Sequence, residues 1–277
     1  MPSPLPDPAT AKRMTTAHRR AATALNVTAT GAPAWGWGGR TLGRAVTTDE
    51  GQPAWLRLLN SPVDQAHGKL WEGSVTADRS LPQSLRRPRV LAVHDWTDGE
   101  QAYRAELTTY LSEPMCSPDP VLHTLLDLPE SWWTDLRAGL VAIARTPTDR
   151  VAVRELWIDR SVPRFTGLPA PRINHWTAAH GDLHWANLTG PGFAALDFEG
   201  WGLAPAGYDA AVLHTYSLLV PAVADRVRSE LADLLDTAQG RVAELVVLTE
   251  ILQTNTRGDN LDLEAPARAR LTALASM

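Results

Sequence analysis

The stretch from residue 180 to residue 202, HGDLHWANLTGPGFAALDFEGWG, constrains the fold more than any other part of the chain. It predicts a loop, a short strand, a turn at Gly190-Pro191-Gly192 and a second short strand, FAAL, which leads into Asp197. Such a β-hairpin would bring Asp197 back beside Asn187, with Asp182 in the preceding loop. Three polar side chains would therefore gather at one end of the hairpin.

The residue types in this cluster indicate a particular chemistry. Amide and carboxylate oxygens are hard ligands, which suit Mg²⁺ better than zinc, so Asn187 and Asp197 are candidate metal ligands. Asp182 could orient a substrate hydroxyl or accept its proton. One Asp for the hydroxyl, with one Asn and one Asp for the metal, is the division of labour in phosphoryl transfer by kinases.

A second interpretation makes His180, Asp182 and His184 the ligands of a hydrolytic metal site. That site would need further histidine or carboxylate ligands at short spacing. None of the other six histidines forms a close pair, so we favour the phosphoryl-transfer interpretation.

The first 110 residues are predicted to be mostly β-structure. The stretch 34–46 has a glycine cluster before an apolar run, and with PAWLRLL (53–59) it predicts an antiparallel pair of strands. The Asp98-Gly99 pair predicts a hairpin between VLAVHDW and AYRAELTTYL. The helices predicted here are 9–25 and 62–73, the second weakened by Gly68.

The chain after residue 110 is predicted to be mostly helical. Proline and serine cluster at 112–120, and a helix over 131–145 then begins at Ser131 as its N-cap. Further predicted helices are 207–219, 222–236, 239–254 and 264–275, separated by Pro221, Gly240 and the run TRGDN. The sequence therefore predicts an α+β fold with two lobes, a small β-rich lobe over 1–110 and a larger helical lobe over 111–277.

Charge and composition exclude several classes of protein. The net charge is +3 over residues 1–110 and −8 over residues 111–277. A nucleic-acid binder should have a strong, clustered positive charge, which this distribution lacks. No run of eighteen apolar residues predicts a membrane span. The single cysteine, Cys116, cannot form an internal disulfide, so a cytoplasmic location is expected. Oligomeric state stays open.

The pattern H180-G-D-x-H-x-x-N187, followed ten residues later by D197-F-E, closely resembles the motifs of aminoglycoside phosphotransferases and their choline-kinase-like relatives. Gly207 and Asp209, in GWGLAPAGYDAA, lie where that family has a small residue and an Asp that braces the catalytic loop. The resemblance is sharp over residues 178–213 and extends more loosely to the order of the lobes. It implies a protein-kinase-like fold and ATP-dependent or GTP-dependent transfer of phosphate to a small-molecule hydroxyl.

The resemblance also implies roles for individual residues. Asp182 is expected to be the catalytic base, while Asn187 and Asp197 bind Mg²⁺. His180, His184, Glu199 and Asp209 are expected on the structural or substrate side, with His184 either contacting substrate or phosphate or simply filling the loop.

The first lobe departs from the family pattern. A kinase-like strand should carry a lysine that contacts the nucleotide phosphates, but PAWLRLL offers Arg57, and Glu72 is the candidate helix partner. Arginine keeps the charge but not the geometry of lysine. Gly38 and Gly39 are candidates to cover the phosphates with backbone N–H groups. Trp55 should share a strand face with Arg57 and could stack on or crowd the base.

Two hypotheses for function follow. The first is an O-phosphotransferase whose acceptor is a cationic hydroxylated molecule, such as an aminoglycoside or another amine-bearing natural product, because the second lobe is acidic. Candidate ammonium partners are Glu230, Asp233, Glu250, Asp259 and Asp262. The second is a kinase-like binding module with impaired catalysis, which the absence of the strand lysine favours.

Overall fold

The computed structural model describes residues 6–276, so the outermost ends of the two predicted lobes, residues 1–5 and 277, lie outside the described residues. Contacts between Cα atoms divide the chain into two compact units. We call them the β-rich unit, which among the described residues contains 6–79 and Arg87–Ser112, and the helical unit, which contains Ser80–Arg86 and 113–276. Within the described residues, no helix combines the length and the apolar character needed to cross a bilayer.

The β-rich unit is an antiparallel sheet with two helices. Its strands are β1 (Val27–Ala29), β2 (Ala34–Trp35), β3 (Thr41–Thr48), β4 (Pro53–Pro62), β5 (Val90–Asp98) and β6 (Gln101–Thr109), and its helices are α1 (Pro8–Ala24) and α2 (Lys69–Ser80). The order in the sheet is β1-β3-β4-β6-β5, with β2 beside β3.

Alternation along β4 decides which side chains form the core of this unit. Leu56 and Leu58 are completely buried, whereas Trp55 and Arg57 point to the opposite face. Buried residues of α1, such as Met14, join the same apolar cluster. Asp7 caps α1 by accepting hydrogen bonds from the backbone N–H groups of Ala9 and Thr10.

The predicted strand pairs of this unit are confirmed, and one helix prediction needs correction. β3 pairs with β4, and β5 pairs with β6 across the Asp98-Gly99 turn. The helix predicted over 62–73 instead begins at Lys69 and continues to Ser80. Gly68, with φ of +79°, lies just before the helix and not inside it. Its left-handed backbone suits a turn and would interrupt a helix.

The helical unit contains seven helices within the described residues and a two-stranded sheet. The helices are α3 (Glu130–Ala144), α4 (Glu155–Thr166), α5 (Tyr208–Thr215), α6 (Pro221–Glu230), α7 (Ala232–Leu235), α8 (Ala238–Asn255) and α9 (Glu264–Ala275), and the strands are β7 (Trp176–Ala179) and β8 (Gly202–Pro205). Helix α8 packs against α4, α5 and α9. It is therefore the central helix of this unit.

Several boundaries differ from the predicted ones. Helix α3 begins at Glu130 after Pro129, so Ser131 is not its N-cap. The stretch 222–236 is divided into α6 and α7 at Leu231. Gly240 lies in the first turn of α8 and does not end a helix. A Cβ at that position would overlap the carbonyl oxygen of Leu234, so the glycine permits close packing of α7 on α8.

The α+β prediction is confirmed, with a six-stranded antiparallel sheet in one unit and helices dominating the other. The segment Ser80–Arg86 groups with the helical unit although it lies within the first 110 residues. There the backbone N–H of Ala195 donates to the carbonyl oxygen of Arg86 at 3.0 Å. The two residues are far apart in the sequence, so no local pattern could predict this contact.

Candidate active site

A narrow hairpin holds the polar cluster of residues 180–202. Leu188 and Ala195 form an antiparallel bridge, and the N–H of Leu196 donates to the carbonyl oxygen of Asn187 at 2.8 Å. The Thr189 hydroxyl donates to the carbonyl oxygen of Gly192 at 2.7 Å, across the turn. Asn187 therefore lies opposite the residue that precedes Asp197, although the hairpin has one bridge and not two regular strands.

The loop before the hairpin is fastened by Asp209. The carboxylate of Asp209, near the start of α5, accepts hydrogen bonds from the backbone N–H of His180 at 2.7 Å and of Gly181 at 3.0 Å. Burial raises the pKa of Asp209, while the nearby His180 and these N–H groups lower it to a smaller extent. The structure thus brings Asp209 onto the backbone of the loop that carries Asp182.

His180 is an internal link of this loop. Its side chain is completely buried, and its ring packs against Phe198 with the centroids 4.5 Å apart. Because the carbonyl oxygen of Leu196 can only accept, Nε2 of His180 donates to it, at 2.7 Å. These contacts join the loop to the second side of the hairpin and keep His180 from solvent.

Asp182 combines an exposed carboxylate with two fixed neighbours. Its side chain is 56% exposed, and its Oδ2 lies 3.4 Å from Nε2 of His184. Nδ2 of Asn187 donates to the backbone oxygen of Asp182 at 2.8 Å. Burial lowers the pKa of His184, but the charges of Asp182 and Asp197 outweigh it and leave that pKa raised. A positively charged His184 would hold the Asp182 carboxylate in place.

Asn187 and Asp197 present the oxygen atoms that Mg²⁺ prefers. Because Nδ2 of Asn187 donates to Asp182, the amide oxygen Oδ1 is the atom left to bind a cation. Asp197 is exposed and adopts a left-handed backbone, with φ of 55° and ψ of 69°. Such strain is typical of functional positions in non-glycine residues. This donor set fits a divalent cation with oxygen ligands.

The hydrolytic interpretation gains no support from the geometry. Within residues 6–276, no group of three or more His, Cys, Asp or Glu side chains is arranged to hold a metal ion. His180 uses Nε2 to bind a backbone oxygen.

Glu199 lies in the turn after Asp197, and its backbone oxygen accepts a hydrogen bond from Arg150.

In the β-rich unit, Arg57 faces a carboxylate that the sequence did not predict. Arg57 on β4 lies opposite Glu106 on β6, with Nη1 of the arginine 3.6 Å from Oε2 of the glutamate. Nη1 also lies 3.4 Å from Oγ of Ser74 on α2. Glu72 does lie on α2, but its charge acts on Arg104. The carboxylate that the structure brings to Arg57 thus comes from the neighbouring strand and not from Glu72.

The predicted surroundings of Arg57 are only partly realised. Trp55 shares its strand face, and the indole covers Gly43, the residue of β3 opposite Arg57. A Cβ at Gly43 would lie 2.5 Å from the indole. In the glycine turn, Gly38 is exposed and has open space around it. The N–H of Gly39 donates to the carbonyl oxygen of Gly36, so in this geometry it is not directed to a phosphate.

A cavity of about 310 Å³ lies in the helical unit, one aromatic ring away from the catalytic loop. Tyr216 lines it and also contacts His184, with the ring centroids 5.6 Å apart. Glu250 and Trp157 are further lining residues. The hydroxyl of the buried Tyr208 donates to Oε2 of Glu250 at 2.6 Å. We call this cavity the acceptor pocket, after the role that we propose for it below.

Most residues of the acceptor pocket have no recognisable signal in the sequence. Trp157 belongs to α4, a helix that we did not predict, and its Nε1 donates to Gln253 of α8 at 3.0 Å. Tyr216 follows the last residue of α5. Only Glu250 was a candidate, as one of several acidic residues. The pocket exists because α4 packs on α8. The sequence of either helix alone does not predict that packing.

Comparisons with known proteins identify the fold. No family model matches the sequence, and no match is found among curated proteins. The structure resembles an amicoumacin kinase solved in complex with AMP-PNP, Ca²⁺ and Ami (12% identity, 94% of each chain covered, TM-score 0.58). It also resembles a macrolide 2′-phosphotransferase from Brachybacterium faecium (14% identity, 90% of this chain and 96% of that chain, TM-score 0.54).

A choline kinase from Streptococcus pneumoniae is similar over 96% of this chain and 100% of that chain, at 10% identity and a TM-score of 0.50. At such low identity these likenesses establish the fold. The chain has the protein-kinase-like fold that aminoglycoside-phosphotransferase-like and choline-kinase-like enzymes share, and the predicted resemblance is confirmed at that level.

Proposed function

We propose that the protein is a phosphotransferase that moves the terminal phosphoryl group of ATP or GTP to a hydroxyl of a small molecule. The observation that carries the proposal is the environment of Asp182. Its carboxylate is open to solvent and lies beside His184, and Asn187 holds the backbone of the same residue. That arrangement suits a group that must meet a substrate hydroxyl in a fixed direction.

The proposed reaction is a single in-line displacement. Asp182 accepts a hydrogen bond from the acceptor hydroxyl and directs its oxygen to the terminal phosphorus. A new P–O bond forms, the bond to the oxygen that bridges the terminal and second phosphates breaks, and the nucleoside diphosphate leaves. The hydroxyl proton passes to the carboxylate of Asp182. His184 keeps that carboxylate aligned, and Asp209 keeps the backbone of the loop in place.

Asn187 and Asp197 would hold Mg²⁺ in this proposal. When bound, the ion neutralises charge on the phosphates. The β-rich unit would be the nucleotide-binding lobe and the helical unit the catalytic and substrate-binding lobe. Arg57 would contribute the positive charge that a strand lysine supplies in kinases, with Glu106, in place of Glu72, as the carboxylate that orients it. Gly38, which has room around its backbone, is the better of the two candidate glycines for a phosphate contact.

The acceptor would be a hydroxylated, amine-bearing molecule that enters the acceptor pocket. The charge of −8 over residues 111–277 favours a cation, and Glu250 is the candidate partner for its ammonium group. Two of the similar structures, named as an amicoumacin kinase and a macrolide phosphotransferase, support antibiotics and other natural products as candidate acceptors. A role in antibiotic resistance belongs to the same proposal.

The test measures nucleotide binding and transfer separately. Calorimetry with Mg·ATP and Mg·GTP should give magnesium-dependent binding of at least one nucleotide. Incubation with γ-labelled nucleotide and a panel of aminoglycosides, macrolides and small amino alcohols should label at least one acceptor.

A kinase-like binding module without catalysis is the second candidate, because Arg57 faces Glu106 and Trp55 shares its strand face. Binding of Mg·nucleotide without labelling of any acceptor would favour that candidate. Absence of any magnesium-dependent nucleotide binding would contradict the proposed phosphotransferase.

A further inference from the structure

The acceptor pocket carries charges of both signs, in different places. We infer that the acceptor is a zwitterion, a hydroxyl compound that carries an acidic group such as a carboxylate in addition to its amine. This inference rests on the proposed function and names the class of molecule that the acceptor pocket takes.

The part of the pocket lined by Glu250 and Tyr216 is negative. Glu250 lines it and is held by the hydroxyl of Tyr208. Burial raises the pKa of Tyr216 far above its usual value, and the charges of Asp182, Glu250 and Asp259 raise it further. Three carboxylates therefore act on the wall between the pocket and the catalytic loop. An ammonium group is favoured there.

The part of the pocket lined by Arg154 and Arg257 is positive. Arg154, which precedes α4, and Arg257, which follows α8, both line the cavity and are exposed. Within residues 6–276, neither guanidinium makes an ion pair or a side-chain hydrogen bond. Elsewhere in the helical unit, Arg137 pairs with Asp233 and Arg270 with Glu244. Two guanidinium groups that face a cavity without carboxylate partners suit an anionic group of a ligand, which arginine can bind with two parallel hydrogen bonds.

The same two guanidinium groups oppose a purely cationic acceptor. A polyamine placed in the pocket would gain from Glu250 but would meet the like charges of Arg154 and Arg257, and such contacts select against a ligand. A zwitterion satisfies both ends. The half-buried indole of Trp157, held by Gln253, supplies an apolar part of the lining. A volume of about 310 Å³ suits a small molecule.

The experiment measures binding of matched probes to the full chain by calorimetry without nucleotide. The probes are L-serine, L-threonine and L-homoserine, each compared with its own carboxamide, which keeps the hydroxyl and the amine but removes the acid. We expect at least one acid to bind in the millimolar range or tighter, and about tenfold more tightly than its carboxamide, since tenfold corresponds to about 1.4 kcal/mol.

Substitutions of the two arginines test whether they cause the preference for the acid over its carboxamide. Arg154→Gln and Arg257→Gln should each weaken binding of the acid about threefold to tenfold and leave the carboxamide unchanged, as expected for one lost ion pair of about 1 kcal/mol. Arg145→Gln, an exposed arginine at the end of α3 that does not line the pocket, is the matched control and should change neither.

Three outcomes would overturn the inference. They are equal binding of acid and carboxamide, no binding of any acid in the millimolar range, and an acid preference that survives removal of both arginines. These outcomes differ from failure of the proposed function, which appears as loss of magnesium-dependent nucleotide binding or of phosphoryl transfer. If the protein phosphorylates only a neutral or polycationic acceptor through Asp182, the proposed function is supported and the inference of a zwitterionic acceptor is wrong.

Discussion

Arg57 and Glu106 lie opposite each other on neighbouring strands, with Nη1 of the arginine 3.6 Å from Oε2 of the buried glutamate. The pairing places a positive charge on β4, and we propose that this charge takes the part of the strand lysine of kinases. It also explains how an arginine can be held there, because a directly opposite residue of β6 orients it.

Arg57→Ala should weaken Mg·nucleotide binding about tenfold or more and lower the free energy of unfolding by about 1–3 kcal/mol, because Glu106 loses a charged neighbour in a buried site. Arg57→Lys keeps the charge and should lose less of both. Calorimetry with Mg·ATP and urea unfolding measure the two effects. Arg40→Ala, at an exposed arginine just before β3, is the control and should alter neither. Unchanged nucleotide affinity in Arg57→Ala would exclude Arg57 from the nucleotide site.

We propose Asp209 as a positioning residue for the loop that carries Asp182. Asp209→Ala leaves the backbone N–H groups of His180 and Gly181 without their acceptor, which should cost about 3 kcal/mol of stability. The turnover number should fall more than the acceptor KM rises, because the loop that carries Asp182 is displaced. Asp209→Asn keeps one acceptor oxygen and should recover part of the turnover. The exposed Asp225→Ala provides the control. A turnover number unaffected by Asp209→Ala would contradict the role.

Gly181 should tolerate no side chain. Its φ is +84°, and a Cβ there would lie 2.5 Å from the carbonyl oxygen of Gly200. Gly258 has a similar φ of +89° but open space around it. Gly258→Ala should therefore lose about 1 kcal/mol through backbone strain alone, and Gly181→Ala about 2 kcal/mol more through overlap. Thermal unfolding of the two variants gives the comparison. Equal losses would show that the close approach of Gly200 is relieved at no cost.

The buried Glu244 should make stability depend on pH in the acid range. Burial raises the pKa of Glu244, but Arg270 and His214 lower it more, to about 2. A carboxyl whose pKa is lower in the folded chain stabilises the fold above its unfolded pKa of about 4.5. That contribution, about 3 kcal/mol, is lost as pH falls from about 4.5 to about 2.

Urea unfolding at pH 6 and pH 3 measures this loss. Glu244→Gln should be less stable than the wild type at pH 6 and should lose less on acidification. The exposed Glu264→Gln should follow the wild type at both values. If Glu244→Gln loses as much stability as the wild type between pH 6 and pH 3, the carboxylate of Glu244 is not the source.

Local patterns explain which parts of this molecule could be predicted. The hairpin that brings Asn187 towards Asp197 follows from a turn and two short apolar runs within one segment. The position of Asp209 came from the family resemblance. Glu106 could not be recognised, because its role depends on the register between β4 and β6 and not on its own surroundings in the sequence.

Two features of the helices differ from the prediction. Gly240 is predicted as a break between helices, but it lies in the first turn of α8, where close packing requires it. Helix α4 contains Pro163 one turn before its end, and this helix was not predicted. The acceptor pocket depends on the packing of α4 on α8, so Trp157 could not be recognised without α4.

The central claim is that Asp182 directs the acceptor hydroxyl in phosphoryl transfer, and its most direct test is the turnover number of Asp182→Asn with the best acceptor from the panel. The substitution keeps the size and a hydrogen-bonding oxygen but removes the base. We predict a fall of about 10²- to 10⁴-fold, as for loss of a general base, with Mg·nucleotide affinity and urea unfolding unchanged. Turnover within threefold of the wild type would contradict the claim.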